Sequence, residues 1–144
     1  VIDMPMLDEC FVAVGGAATM NRAPIRTSRV TELSRARIAT TSPEALKPDS
    51  FDAFNRLSAA SATSTYGGDC HNYALLAAGH VDIVLEDGLA THDIMGVVEV
   101  IRAAGGIVTD KTGAAVTMQG TNSLLAASTP ELHAAALALA GKSG

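Results

Sequence analysis

The chain has 144 residues, 48% of them apolar, which suits one packed domain and excludes a disordered chain. Its formal net charge is −5 and its ten Lys and Arg are scattered, so there is no basic footprint for nucleic acid. No apolar run nears the roughly 18 residues of a membrane helix, and no signal-peptide pattern opens the chain.

Val1-Ile2-Asp3-Met4-Pro5 reads as the middle of a strand, so the chain is expected to be an excised or processed piece of a longer one. Phe11-Val12-Ala13-Val14 is a strand closed by a Gly15-Gly16 turn, and a second turn follows at Asn21-Arg22-Ala23-Pro24. Arg37–Thr40 is a short strand. Ser42-Pro43-Glu44 suits a short helix start, and Phe51 begins a helical stretch that ends near Ala62. Asp69–Ala78 reads as an Ala- and Leu-rich helix closed by Gly79. Val81–Leu85 is a buried strand. Thr91–Ala104 is a helix capped by Thr91, with Ile94, Val97, Val98 and Ile101 on one face. Ile107–Thr109 and Ser123–Ala127 are strands, and Ser128-Thr129-Pro130-Glu131 opens a last helix to about Ala140. This alternation predicts an α/β layer arrangement over residues 35–144. Residues 1–34 are expected to be strands of a separate, incomplete antiparallel sheet.

Cys10 and Cys70 form no CxxC pair, so zinc is not indicated. Free thiols in a reducing cytoplasm are the simplest reading, and a long-range disulfide is the alternative. His71, His80, His92 and His133 show no zinc spacing and read as surface or satisfied residues.

Three acids stand at element junctions. Asp69 follows Gly67-Gly68 at a helix start, Glu86 ends a strand, and Asp93 lies in the first turn of the next helix. Ligands of open α/β sheets gather beyond strand carboxyl ends, so a tight Asp87–Ala90 loop would bring Glu86 and Asp93 toward one pocket. Gly67 and Gly68 let backbone approach a ligand closely. Each feature also has a plain structural reading. Gly-Gly before a helix is common, Asp93 suits a helix dipole, and Glu86 suits a solvated strand end.

The run GGDCHNYALLAAGHVDIVLEDGLATHDIMGVVEVIRAAGGIVTDKTG, Gly67–Gly113, resembles the inositol monophosphatase family, most of all its histidinol-phosphatase branch. Residues 1–28 resemble the family's middle segment, and Ser123–Ala140 its last strand and helix. The resemblance implies the C-terminal half of a layered αβαβα sandwich, with the first residues in the family's antiparallel sheet. It implies a Mg²⁺-dependent phosphomonoesterase acting on a small phosphorylated substrate, histidinol phosphate or an inositol phosphate. It assigns Asp93 as a metal ligand, Glu86 as an acceptor from the substrate's hydroxyl or amine groups, and Gly67, Gly68 and Asp69 to the leaving-group side. No residue of this chain is assigned as the catalytic group that activates water.

Three departures stand out. His92 replaces the family's Trp or Tyr before the metal aspartate. Ser64-Thr65-Tyr66 lacks the Arg that precedes the Gly-Gly. No Asp-x-x-Asp-Gly-Thr loop occurs, and one aspartate does not hold two Mg²⁺ ions. The chain alone is therefore expected to be inactive and to need an N-terminal segment that completes the site. Self-association into a homo-oligomer through the edges of residues 1–28 is expected as well. The reading that competes with the enzyme is an inactive α/β binding module.

Overall fold

A computed structural model describes residues 1–141, and residues 142–144 of the expected carboxy-terminal unit lie outside the described residues. Strands β1 (Ile2–Met4), β2 (Glu9–Val14), β3 (Ala17–Met20) and β4 (Ala23–Pro24) form an antiparallel sheet in chain order. The register pairs Val14 with Ala17, so Gly15 and Gly16 are a two-residue loop. Their φ values of 59° and 79° match the turn that such a hairpin favours. The second turn is shorter than the sequence suggests. Asn21 and Arg22 alone make it, and Ala23-Pro24 is already strand. The Asn21 side chain accepts from Cys10 N and donates to Asp8 O, which fixes that corner.

A five-stranded sheet follows, with β5 (Arg37–Thr40), β6 (Thr63–Tyr66), β7 (Ile83–Asp87), β8 (Ile107–Thr109) and β9 (Ser123–Ala127). Its order is β6-β5-β7-β9-β8. β5 runs parallel to β6 and β7, while β9 runs antiparallel to β7 and β8. Helices α1 (Pro48–Ala60), α2 (Cys70–Ala77), α3 (Thr91–Ala103) and α4 (Pro130–Ala140) cover it. β7 and β9 are buried at every position, so their apolar parts, Ile83–Leu85 and Leu124–Ala127, run without alternation, and Glu86, Asp87 and Ser123 are polar residues buried at the strand ends.

Two cores define the layers. Ile2, Phe11 and Ala18 of the antiparallel sheet pack with Tyr73, Ala74 and Ala77 of α2, Ile94, Val97 and Ile101 of α3, and Val84 of β7. On the other face of the five-stranded sheet, Ile38, Ile83, Leu85 and Leu125 pack with Phe54 and Leu57 of α1 and Leu132 and Ala136 of α4. The order is thus sheet, helix pair, sheet, helix pair. Small Ala residues bring the layers close where aromatics are scarce.

The sequence places most elements correctly and misses one strand. β6 is Thr63-Ser64-Thr65-Tyr66, an edge strand with mostly exposed residues and no apolar pattern to reveal it. α4 is capped as its sequence suggests, with Thr129 Oγ1 accepting from Leu132 N at 3.2 Å. α3 is not capped by Thr91, which is its first helical residue. Ala90 is the cap position, the Asp93 carboxylate accepts from Ala90 N at 2.9 Å, and the Thr91 hydroxyl donates to Met118 O. The acid three residues into the helix does this work better because it reaches back over the first turn. Both cysteines are free thiols.

Candidate functional site

Gly67, Gly68 and Asp69 lie between β6 and α2, and all three have positive φ, at 85°, 109° and 46°. Such a run turns the chain sharply, and its peptide groups are tied in: Gly67 N donates to Thr41 O at 2.8 Å, while Gly68 O and Asp69 O accept from His71 N at 2.8 Å and Asn72 N at 3.1 Å. Asn72, in the first turn of α2 and buried, is the support. Its amide donates to Gly67 O at 2.8 Å, and a Cβ built on Gly68 would stand 2.7 Å from its Oδ1. Gly68→Ala therefore combines a strained φ with a clash against the group that holds the loop. The expected cost is about 1–3 kcal/mol, read as a lower urea midpoint at unchanged slope. A loss below the measurement error would show that the loop adapts freely.

Glu86 is buried, at 6% exposure, and is not the solvated strand end of the plain reading. It lies inside β7, which runs on to Asp87, and its side chain faces α2. Thr41 donates to Glu86 Oε1 through its backbone N at 3.1 Å and its hydroxyl, and the Tyr73 hydroxyl donates to Oε2 at 3.0 Å. Burial pushes the Glu86 carboxyl above the usual carboxylate range, against the pull of those hydrogen bonds. A carboxylate kept dry and oriented in this way is costly unless it has a task.

Asp69 and Glu86 share a cleft of about 170 Å³ at the carboxyl end of β5 and β7, together with Thr40, Thr41, Ser42, Leu46 and Asp87. Gly67 and Gly68 form the turn that carries Asp69 into it, without lining the cleft themselves. Asp93 is not among the lining residues. It stands exposed at the start of α3, with His92 Nε2 at 3.5 Å from its carboxylate. Its charge still reaches the same neighbourhood. The Cys70 thiol is pushed up first by burial and then by the field of Asp69, with Glu86 and Asp93 adding to it.

The donors are right in kind for Mg²⁺, because they are hard oxygens. They are too few. Among the described residues no three His, Cys, Asp or Glu side chains stand close enough to hold an ion. The residues present do not build a Mg²⁺ site by themselves.

Several polar groups that shape this region carry no motif. Asn72, Tyr73 and Thr41 support the loop and Glu86. Asp87, the last residue of β7, accepts from Ser50 Oγ and from Lys111 Nζ at 3.2 Å, and Lys111 also reaches Asp49 at 2.8 Å. Asp82 pairs with Arg37 at 2.8 Å below the sheet. Position within α2 is the only available signal for Asn72 and Tyr73, since both follow Gly-Gly-Asp on a short apolar helix. The histidines stay away from the cleft lining. His133 is buried and satisfied by Thr109 Oγ1 at 2.9 Å.

Comparison with known proteins gives the lineage. The sequence profile of the inositol monophosphatase family matches residues 1–144. The chain is 38% identical over 129 residues to the chloroplastic bifunctional phosphatase IMPL2 of Arabidopsis thaliana, covering 89% of this chain and 37% of the relative. It is 29% identical over 115 residues to the histidinol-phosphatase of Chlorobaculum parvum, covering 78% of this chain and 44% of the relative. It therefore spans less than half the length of these curated relatives. A solved inositol monophosphatase from Zymomonas mobilis superposes with a TM-score of 0.93 at 30% identity, over 97% of this chain and 56% of that one. Among the described residues no helix is long and apolar enough to cross a membrane. Sequence profile, relatives and layer order agree: the chain belongs to the inositol monophosphatase family.

Proposed function

We propose that this chain is the substrate-facing part of a Mg²⁺-dependent phosphomonoesterase, with histidinol phosphate as the substrate. The observation that carries the reading is the pairing of buried Glu86 with Asp69 in one cleft. Two carboxylates there suit a leaving alcohol that bears positive charge, and a neutral polyol gains less from them. Glu86 accepts from the substrate's N–H or O–H groups, with its orientation held by Thr41 and Tyr73. Asp69 closes the other side. Asp93 would supply one ligand to Mg²⁺, and the other ligands would have to come from beyond these residues. The chemistry such an ion would supply is charge neutralisation at the phosphate and an acidified water.

Two measurements test this. The purified chain with Mg²⁺ is expected to release no phosphate above background from histidinol phosphate or inositol 1-phosphate. Robust release would overturn the partial-site reading. Amide chemical shifts of the chain are expected to move at Asp69 and Glu86 with histidinol at lower concentration than with myo-inositol. Asp69→Asn should weaken histidinol roughly 3- to 10-fold. Tighter binding of myo-inositol would redirect the substrate to an inositol phosphate.

A further inference from the structure

Asp69 enters the cleft from a backbone conformation that aspartate does not favour. Its angles are φ 46° and ψ −128°. His71 N donates to Gly68 O at 2.8 Å, which closes a four-residue turn with Asp69 as its first central residue. Those angles match a type II′ turn, in which that position belongs to glycine. Asp8 also has a positive φ, but its ψ of 41° places it in the ordinary left-handed region that aspartate tolerates. Asp69 lies outside that region, where a Cβ crowds the backbone. The chain has glycine at the two positions before it, where φ is also positive, and aspartate here. A side chain kept in a glycine conformation points to a task that glycine would not perform.

Something must hold the turn, because a free aspartate returns to negative φ. No ion pair does so, since among the described residues no cation pairs with Asp69. Asn72 does. Its side-chain amide donates to Gly67 O at 2.8 Å and its backbone N donates to Asp69 O at 3.1 Å. One buried residue thus grips both ends of the Gly67–Asp69 run. Its Oδ1 stands 2.7 Å from where a Cβ on Gly68 would lie, so the amide packs directly against the middle of the turn. Asn72 reaches the other acid of the cleft as well. Burial raises the Glu86 carboxyl, and Asn72 joins Thr41 and Tyr73 in the hydrogen bonds that pull it back. Asn72 itself does not line the cleft, so any effect on a ligand passes through the residues that do.

We propose that Asn72 is a positioning residue of the cleft, which holds Asp69 in the strained turn and so aims its carboxylate at the cationic part of the substrate. The proposal rests on the phosphatase reading above, which gives Asp69 its ligand. It adds the residue that fixes where that charge stands relative to Glu86.

The test is a double-mutant cycle on the 144-residue chain, read by amide chemical-shift titration with histidinol. Asn72→Ala is expected to weaken histidinol roughly 3- to 10-fold, about as much as Asp69→Asn. The double variant should lose clearly less than the product of the two single losses, because both changes disturb one interaction. The one-bond Cα–Hα coupling of residue 69, which separates positive from negative φ, should move to the negative-φ value in Asn72→Ala. Asn72→Ser, too short to reach Gly67 O, carries the cycle if Asn72→Ala fails to fold. Asp69→Gly should unfold at a urea midpoint roughly 0.5 M above that of Asp69→Ala, which keeps the Cβ. Losses that multiply, a wild-type affinity or coupling in the Asn72 variant, or no midpoint gain from Asp69→Gly would overturn the positioning role. In those outcomes histidinol shifts at Asp69 and Glu86 of wild type would leave the phosphatase reading standing. No such shifts in wild type would overturn both.

Discussion

Asp82→Ala is expected to cost about 3 kcal/mol of folding stability, the lower end of the loss from breaking a buried ion pair. Asp82 is fully buried, yet its carboxylate accepts from Arg37 N and Nε at 2.8 Å, Arg37 Nη2 at 3.0 Å and Ser28 Oγ at 2.5 Å. Arg37 Nη2 also donates to Gly79 O at 2.8 Å. The Asp82–Arg37 pair therefore ties together the segment after the antiparallel sheet, the start of β5, the end of α2 and the entry to β7. The low end of the range applies because the Arg37 side chain is 40% exposed and can turn to water when its partner is lost. The backbone N–H of Arg37 has no such escape.

The same pair sets a pH dependence. Burial alone would push the Asp82 carboxyl up, and the hydrogen bonds from Arg37 and Ser28 outweigh it, so it ends below its ordinary value. A depressed folded value means that the unfolded chain takes up the proton first. The contribution is complete above the unfolded value of about 3.9 and is lost as pH falls through it toward the folded value. Urea unfolding of Asp82→Ala against pH should therefore show a large deficit at neutral pH that narrows below about pH 4. A deficit under 1 kcal/mol, or one that does not narrow, would show that the pair contributes little net stability.

Phe11→Ala is expected to cost about 3–5 kcal/mol, the usual range for a buried aromatic cut back to a methyl. Phe11 is 1% exposed and packs in the core that joins the antiparallel sheet to α2, α3 and β7. No second aromatic of the antiparallel sheet can fill the void. Tyr73 belongs to the same cluster and reports on it locally. In a Tyr66→Phe background, where it is the one tyrosine left, its near-ultraviolet signal should vanish at the same urea concentration as the far-ultraviolet signal of the whole chain, with and without Phe11→Ala. Two separated transitions would show instead that residues 1–34 and the α/β unit unfold independently.

Read alone, the sequence determined the elements whose signal is local. β7 and β9 carry the short apolar runs Ile83–Leu85 and Leu124–Ala127, α3 shows its buried face at helical spacing, and Thr129-Pro130 announces α4. The resemblance carried by Gly67–Gly113 also pointed to the family that the profile over residues 1–144 shows. The polar choices belonged to the tertiary structure. Edge strand β6 has no apolar face to declare it. Thr41 and Glu86 are 45 residues apart, and Asp82 and Arg37 equally so, yet each pair meets because β5 lies beside β7. Whether an acid is a solvated strand end or a dry, oriented acceptor depends on which chains pack over it. Periodicity records which face is buried, and it holds no information about which distant donor arrives there. That is why Glu86 and Asp87 look alike in sequence but face opposite layers of the molecule. It is also why Asp93, grouped with them by spacing, stands outside the cleft that they share with Asp69.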